Sequence, residues 1–329
     1  MKTRFKHLGV FLTMALLVFG ILSLTACSNP AGGGSCAHNF VGGTVTPFDG
    51  TATTITFTGA ACSLCGASGT RTVTPDVIID LAEGTGVINI TTGQAALIKG
   101  VSNGDRRVVF SGANAAREIY IANGTTLSLT GQGGINFVAN STIYGGGPDI
   151  TINFNGTSSA IICSGNLTIS GTIGNISHSS PAYGIYTTGN LLISGTIGNI
   201  TISNTSGLHA PDGIYTTGSV TISGTTGTIS GANATGTGNY NGGNGIRANG
   251  GVTISGSTGT ISGGARVGTG DGGSGIRVNA GSTVTITGTA SIGNNTASSI
   301  TGAANGGAKI RIGDELHDDW NGTRPYTRP

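Results

Sequence analysis

The sequence predicts an all-β protein built around a parallel β-helix, in which short strands from successive coils stack on one another. One motif is written twice: GIYTTGNLLISGTIGNI begins at Gly184 and returns as GIYTTGSVTISGTTGTI at Gly213. Less exact copies keep Ile or Val at the same places, which indicates a repeat architecture. Gly makes up 62 of the 329 residues and charged residues only 9%, which excludes an ordinary globular α/β composition.

Residues 1–26 are predicted to be a signal peptide. Lys2, Arg4 and Lys6 precede a long apolar segment, and the sequence LTAC follows it, ending at Cys27. This order of a basic, an apolar and a small-residue region is typical of exported proteins. The alternative is an uncleaved membrane anchor, for which the apolar segment is short because a transmembrane helix needs ~20 residues.

The LTAC sequence resembles the lipobox of bacterial lipoproteins, in which the cysteine becomes the lipidated first residue. The resemblance implies that acyl chains on Cys27 hold the protein to a membrane of the bacterial cell envelope. Ser28 is not the acidic retention signal known for inner-membrane lipoproteins, which favours the outer membrane or the cell surface. Residues 27–35 are rich in Gly and Ser and predict a flexible tether.

Residues 36–75 are predicted to form a small β module that holds a metal ion. Cys36, His38, Cys62 and Cys65 supply thiolates and an imidazole, and a C-x-x-C pair can clasp Zn²⁺ from one turn. The intervening segment predicts a hairpin, so the module would resemble a zinc ribbon with a structural Zn²⁺. The alternative is a disulfide between two of the cysteines, which an exported protein permits.

Residues 76–313 are predicted to form the β-helix, and their aliphatic residues define three columns. Within the repeats, large aliphatic residues alternate with Thr, which is the pattern of a strand with one buried face. The first column is Ile161, Ile185, Ile214, Ile246, Ile276 and Ile310; the second is Leu167, Leu191, Val220, Val252 and Val284; the third is Ile169, Ile193, Ile222, Ile254 and Ile286. Equivalent strands ~4.8 Å apart would make each column a continuous apolar ladder.

Three short strands are predicted for each coil, with roughly eight coils in all. The third strand carries Ile197 and Ile200 in one copy, and the segment from Glu118 is expected to occupy the same place in its coil as the segment from Gly275. Glycines recur at the predicted corners, where tight turns often need backbone angles that a Cβ forbids. These glycines are Gly171, Gly195, Gly224, Gly256 and Gly288.

The repeat pattern resembles the right-handed parallel β-helices of the pectin-lyase-like class. It is similar in particular to the Thr-, Ile-, Ser- and Gly-rich arrays of bacterial surface lipoproteins and adhesins. The resemblance implies a non-enzymatic surface protein that is adhesin-like or binds polysaccharide. A polysaccharide lyase or glycoside hydrolase of the same fold is the alternative, and a purely structural spacer is a further one.

The distribution of acidic residues argues against catalysis. Hydrolysis of a glycosidic bond needs two carboxylates held a few ångströms apart. Between Ile119 and Ala308 the acids are Asp149, Asp212 and Asp271, which fall on different coils. GTGDGGSG contains a single acid, Asp271, which is too little charge to predict a Ca²⁺ site. A net charge of +2 gives no indication of nucleic-acid binding.

One outward-facing column combines aromatic and basic side chains. Tyr186, Tyr215, Arg247, Arg277 and Arg311 each follow an Ile of the first column, and we call them the Tyr/Arg column. Tyrosine rings offer flat faces to sugars, and arginines one strand apart can pair with a repeating anion such as a uronate chain. The sequence therefore predicts a ligand-binding face here, with a merely solvated outer face as the alternative.

The last residues, 314–329, are predicted to cap the open end of the β-helix. Their composition changes abruptly, and Trp320 is expected to cover apolar edge. His317 lies among acids that could bind a metal, although a solvated polar cap is the preferred interpretation. Cys163 aligns with Thr187 and is predicted to be a small core residue.

Overall fold

All regular structure in the described part of the chain is β. The computed structural model describes residues 39–63, 66–83, 86–91, 95–102, 106–111, 117–131, 134–179, 182–203, 210–235, 238–287, 300–301, 310–317 and 326–328. Within these ranges, no helix is long and apolar enough to cross a membrane. The predicted signal peptide, Cys27 and the tether lie outside the described residues.

The strands are short in most of the chain. The first four are β1 (Phe40–Val41), β2 (Thr44–Val45), β3 (Ile55–Cys62) and β4 (Ser68–Val73). They are followed by β5 (Val77–Asp80), β6 (Gly86–Ile90), β7 (Ala95–Lys99), β8 (Arg106–Phe110), β9 (Arg117–Ile121), β10 (Thr126–Gly131), β11 (Ile135–Phe137), β12 (Ser141–Gly156), β13 (Ile161–Cys163) and β14 (Leu167–His178). The most regular repeats hold β15 (Ile185–Thr187), β16 (Leu191–Ile193), β17 (Thr196–Ile197), β18 (Ile200–Ile202), β19 (Ile214–Thr216), β20 (Val220–Ile222), β21 (Thr225–Thr226), β22 (Ile229–Ser230), β23 (Ile246–Ala248), β24 (Val252–Ile254), β25 (Ser257–Thr258) and β26 (Ile261–Ser262). The last strands are β27 (Ile276–Val278), β28 (Val284–Ile286), β29 (Ile300–Thr301), β30 (Ile310–Ile312), β31 (Glu315–His317) and β32 (Tyr326–Arg328).

The described residues form two compact units. Residues 39–44 and 56–72 belong to the first, and residues 45–55 with those from 73 onward belong to the second. Strands β1 to β4 make a small sheet in which β3 pairs with β1, β2 and β4. Phe40 of β1 lies opposite Cys62 of β3 in an antiparallel register.

A ten-stranded sheet of the second unit carries the first aliphatic column. Its order is β31-β30-β27-β23-β19-β15-β13-β11-β8-β6, and these strands run parallel up to β30. Ile185 lies opposite both Ile161 and Ile214, and the same register continues to Ile310. The predicted first column is therefore confirmed.

A second sheet, of 18 strands, carries the other two columns. Leu191 lies opposite Leu167 and Val220, and Ile193 lies opposite Ile169 and Ile222. The register continues through β24 to β28. All members of the three columns are at most 1% exposed and belong to one hydrophobic core. The second unit thus has long parallel sheets around a continuous apolar interior, an arrangement compatible with a β-helix.

The predicted third strand differs from the observed structure. In the repeat that begins at Gly184 it is two strands, β17 and β18, separated at Gly198 and Asn199. The Gly198 N–H donates to the carbonyls of Ile173 and Gly174 at 2.9 and 2.7 Å, so the chain turns here while staying bonded to the preceding coil. Such coils therefore contain four short strands in this part of the chain.

The expected position of the segment from Glu118 was wrong. Ile119 lies opposite Ile143, which in turn lies opposite Ile169 of the third column. The segment from Gly275 instead contributes Ile276 to the first column. The mismatch arises because both faces of the core use the same alternation of aliphatic and polar residues, so a short copy fits either face.

The corner glycines are required by close stacking more than by backbone angle. Gly171 has φ of 69°, but Gly195, Gly224 and Gly256 are not in the positive-φ region. A Cβ added at Gly195 would overlap the carbonyl oxygen of Gly171, and the same overlap recurs up the column. The predicted glycine column is present, but its cause is the backbone of the neighbouring coil. Gly288 lies outside the described residues.

Asparagine side chains form a second set of contacts between coils. Oδ1 of Asn140 accepts the N–H of Asn166 at 2.8 Å, and Oδ1 of Asn166 accepts the N–H of Asn190 at 2.7 Å. Asn190 continues the series to the N–H of Ser219 at 2.8 Å. These bonds satisfy backbone donors at corners, where strand pairing is interrupted.

Two antiparallel strands follow the parallel runs near the end of the chain. β31 pairs with β30, with Leu316 opposite Arg311, and β32 pairs with β28, with Thr327 opposite Thr285. His317 lies 3.6 Å from a carboxylate oxygen of Glu315. Trp320 lies outside the described residues.

We expect Gly195→Ala to destabilise the protein by about 1–3 kcal/mol, because the new methyl group must displace the backbone of the coil beside it. Urea and thermal unfolding midpoints would measure this loss. Gly50→Ala is the matched control, since the nearest atom to its added Cβ is Cβ of Lys99 at 3.5 Å, an ordinary contact. Equal midpoints for the two variants would contradict the stacking role of Gly195.

Candidate functional site

The Tyr/Arg column forms a continuous row on the outer face of the ten-stranded sheet. Tyr186, Tyr215, Arg247, Arg277 and Arg311 lie opposite one another in that order, each in the centre of its strand. Their side chains are half-buried, whereas the Ile before each one is fully buried. The sequence pattern thus located the row, and neighbouring segments cover part of it.

Three tyrosine rings cluster at one end of the row. Tyr186 and Tyr215 have ring centroids 5.5 Å apart. Tyr183, which sequence reasoning did not single out, lies 5.8 Å from Tyr186 and 5.0 Å from Tyr215. Burial, followed by the nearby Asp212 carboxyl, raises the pKa of the Tyr183 phenol. The cluster therefore presents an aromatic surface, in which burial keeps the Tyr183 hydroxyl neutral.

Arg247 and Arg277 follow directly after the tyrosines. The Arg247 guanidinium carbon lies 5.1 Å from the ring centroid of Tyr215, a cation–π contact. Neither arginine forms an ion pair with another side chain in the described part of the chain. Burial and the charges of Arg311 and Arg247 lower the pKa of Arg277. Two half-buried guanidinium groups thus lie on neighbouring strands, and neither is paired with a carboxylate of the described residues.

Arg311 differs from the other two arginines. Its guanidinium lies 3.5 Å from a carboxylate oxygen of Asp271 and 3.4 Å from one of Asp314. Its Nε also donates to the carbonyl of Gly313 at 3.2 Å. The structure therefore separates Arg311, which is paired within the protein, from Arg247 and Arg277.

A pocket of about 530 Å³ opens over the tyrosines and the two unpaired arginines. We call it the Tyr/Arg pocket. One wall consists of residues 157–159 and 182–183, and another consists of 210–212, 241–242 and Asn244. Tyr186, Arg247 and Arg277 line it, while Tyr215 contacts the same rings from within the row. The volume is in the range of small-molecule sites.

Asp212 is the acidic side chain that sequence reasoning placed on a coil of its own without assigning it a role. It lines the pocket but is only 3% exposed. Its Oδ1 accepts hydrogen bonds from the backbone N–H and the side-chain amide of Asn244, at 2.6 and 2.7 Å. Burial raises the pKa of Asp212, while the bonds from Asn244 and the charges of Arg247 and Arg277 oppose that rise.

A fourth column of the repeat would have revealed these missed residues. Tyr183, Asp212, Asn244 and Ser274 each stand one place before the Gly that begins a copy of the motif. The Asn244 side chain accepts the N–H of Ser274 at 3.0 Å, which continues the series from Asp212. The signal was present, but the variable segments before each copy concealed it.

The other two acids between Ile119 and Ala308 have different surroundings. Asp149 accepts a hydrogen bond from the side-chain amide of Asn123 at 3.1 Å. Asp271 pairs with Arg311, as described above, and is not part of an acidic cluster. Among the described residues no group of three or more His, Cys, Asp or Glu side chains lies close enough to hold a metal ion.

Cys62 is the described member of the predicted zinc site, and Cys36, His38 and Cys65 lie outside the described residues. Cys62 is buried at the end of β3. Its backbone carbonyl accepts the N–H of Gly66 at 2.8 Å, and its N–H donates to the carbonyl of Ala67 at 2.8 Å. These bonds return the chain to Cys62 at the two residues that follow Cys65 in sequence.

Cys163 is a core residue, as predicted. It is fully buried and lies opposite Thr187 in the parallel register. Its Sγ lies 3.2 Å from the carbonyl of Ala139, and Thr187 donates to the carbonyl of Gly165 in the equivalent way. Burial raises the pKa of the Cys163 thiol to about 11, so it stays protonated at neutral pH.

No protein-family model, curated protein or solved structure matches the chain.

Proposed function

We propose that the chain is a lipid-anchored, non-enzymatic protein of the bacterial cell surface that binds polysaccharide, in the manner of an adhesin. The observation that carries this proposal is the Tyr/Arg pocket, which combines a tyrosine cluster with two half-buried arginines that form no ion pair among the described residues. A ligand with both an apolar face and an anionic group satisfies both parts of the pocket.

Acidic sugars have this combination of groups. The C–H face of a pyranose ring can lie on the rings of Tyr183 and Tyr186, which stay in place because they pack on each other. A carboxylate can receive parallel hydrogen bonds from an arginine, whose planar fork matches its geometry. Arg247 and Arg277 lie one strand apart and can bind one carboxylate together or two in succession.

The fold assignment that accompanies this proposal is a right-handed parallel β-helix of roughly eight coils, similar to the pectin-lyase-like class. The parallel registers of both sheets support it, and parallel strands joined by a crossover connection are right-handed in about 98% of cases.

A polysaccharide lyase or glycoside hydrolase is the alternative, and Asp212 is the observation that favours it. Its buried carboxyl lies in the pocket and has a raised pKa, which is common among catalytic acids. Binding remains the better proposal, because hydrolysis needs a second carboxylate, and Asp149 and Asp271 do not line the pocket. A structural spacer does not account for the pocket.

We also propose that the N-terminal module binds a structural Zn²⁺ through Cys36, His38, Cys62 and Cys65. The pairing of Phe40 with Cys62 supports this proposal, because it brings the chain two residues after His38 next to a cysteine ligand. The hydrogen bonds of Cys62 to Gly66 and Ala67 return the chain to Cys62 just after Cys65 in sequence, which supports a C-x-x-C clasp.

Arg277→Ala should weaken binding of uronate oligosaccharides on a glycan array by about tenfold or more, the loss expected for a charged hydrogen-bonding partner. Arg311→Ala is the matched control, since Arg311 belongs to the same row but is paired with Asp271 and Asp314. The assay uses protein without residues 1–27, with and without Ca²⁺. Equal binding by the parent and Arg277→Ala would contradict the proposed site, and shorter fragments of the ligand in mass spectra would favour the enzyme.

Cys27→Ser should release the protein from the membrane fraction of expressing bacteria, because no acyl chain can then be attached. Ser28→Ala keeps the cysteine and should remain with the membrane. Fractionation followed by immunoblotting measures the distribution. Membrane retention of Cys27→Ser would contradict lipid anchoring at this residue.

Purified protein should contain about one equivalent of zinc by elemental analysis, as expected for a site with four protein ligands. Cys62→Ser should lose the metal, whereas Cys163→Ser, which changes a thiol of the core, should retain it. A zinc-free protein in which two cysteines resist alkylation until they are reduced would support the disulfide instead.

A further inference from the structure

Asp212 occupies a position at which an amide would serve the fold equally well. Between other coils, the side-chain oxygen of an Asn accepts the N–H of the residue in the next coil, as Asn241 does for Asp271 at 2.7 Å. Asp212 makes the same bond to the N–H of Asn244 at 2.6 Å and accepts the Asn244 amide with the same oxygen. Oδ1 of Asp212 therefore makes both of the hydrogen bonds that join the two coils at this position.

Burying an ionised carboxyl group costs desolvation free energy that burying a neutral amide would not. A buried carboxylate loses its hydration, and that loss is repaid only by hydrogen bonds and nearby positive charge. Arg247 and Arg277 supply charge, yet neither approaches within ion-pair distance of Asp212 in the described part of the chain. The cost is explained if the second oxygen, Oδ2, has a partner that arrives with the ligand.

The surroundings of Oδ2 define what that partner can be. The titratable groups that interact electrostatically with Asp212 are Tyr183, Arg247 and Arg277. The other titratable groups beside them in the pocket and the row are Tyr186 and Tyr215. Among the described residues, the hydrogen bonds of Asp212 all go to Oδ1. A carboxylate oxygen accepts a hydroxyl or amino group and repels a second anion.

We propose that Asp212 is a specificity-determining residue of the Tyr/Arg pocket. Its carboxylate accepts a hydrogen bond from a hydroxyl group of a bound sugar acid, and the carboxylate of that sugar acid binds Arg247 and Arg277. This inference rests on the proposed binding function and deepens it. The pocket distinguishes a ring that carries hydroxyl groups beside one carboxylate from a densely sulfated chain, which brings anions to both places. The arginines supply attraction, and Asp212 supplies selectivity.

Asp212→Asn tests the proposal, because Asn keeps an oxygen for the Asn244 N–H and removes the charge. The probes are galacturonate and mannuronate hexamers as sugar acids and dextran sulfate as the dense polyanion, measured by calorimetry. We expect the variant to bind the better hexamer tenfold to a hundredfold more weakly and dextran sulfate more tightly. Asp271→Asn is the matched control, since Asp271 does not line the pocket, and should leave both affinities unchanged.

Each outcome decides a different point. If the parent binds a hexamer and Asp212→Asn binds both kinds of probe as the parent does, the role of Asp212 is wrong and the binding function stands. If the parent binds neither hexamer, both the proposed function and this inference are overturned. Asp212→Ser is the second variant should Asn perturb folding, because Ser219 accepts the N–H of Gly251 in a comparable position at 3.2 Å.

Discussion

The structure depends on one constraint: each coil must place its residues directly beside the equivalent residues of the coil before it. Parallel strands ~4.8 Å apart stack in register, so each side chain contacts the side chain at the equivalent position of the next coil. Ile on Ile makes the apolar interior, Gly on Gly allows the corners to approach, and Asn on Asn satisfies the corner N–H groups. The sequence repeats because the same residue types are needed at the same position of each coil.

The same constraint builds the candidate site from ordinary positions of the repeat. The residue after the buried Ile faces outward in each coil, so two tyrosines and three arginines become one row. The strands fix the spacing of that row, and the variable segments between copies supply the walls. Depth and selectivity can therefore change through those segments without disturbing the core.

The sequence could predict the features that recur at the same place in every copy of the repeat. The aliphatic columns and the Tyr/Arg column were located because most copies align on a Gly-Ile pair. The position of Glu118 was misjudged because the alternation of a short copy fits two faces of the core. The corner at Gly198 was missed because Ile197 and Ile200, on either side of it, were assigned to one strand. The pairing of Arg311 with Asp271 was not predictable, since it joins residues from different coils through loop geometry.

Charge balance explains why the two ends of the row differ. The positive charge of Arg311 is compensated by two carboxylates of the same chain. Arg247 and Arg277 have one buried carboxyl near them, that of Asp212, and form no ion pair among the described residues. Two positive groups one strand apart repel each other, and partial burial strengthens that repulsion. With Asp212 ionised, one further negative charge makes the pocket neutral. A ligand with a single carboxylate per binding position meets that requirement, whereas a ligand with several anions at the same position exceeds it and must face Asp212.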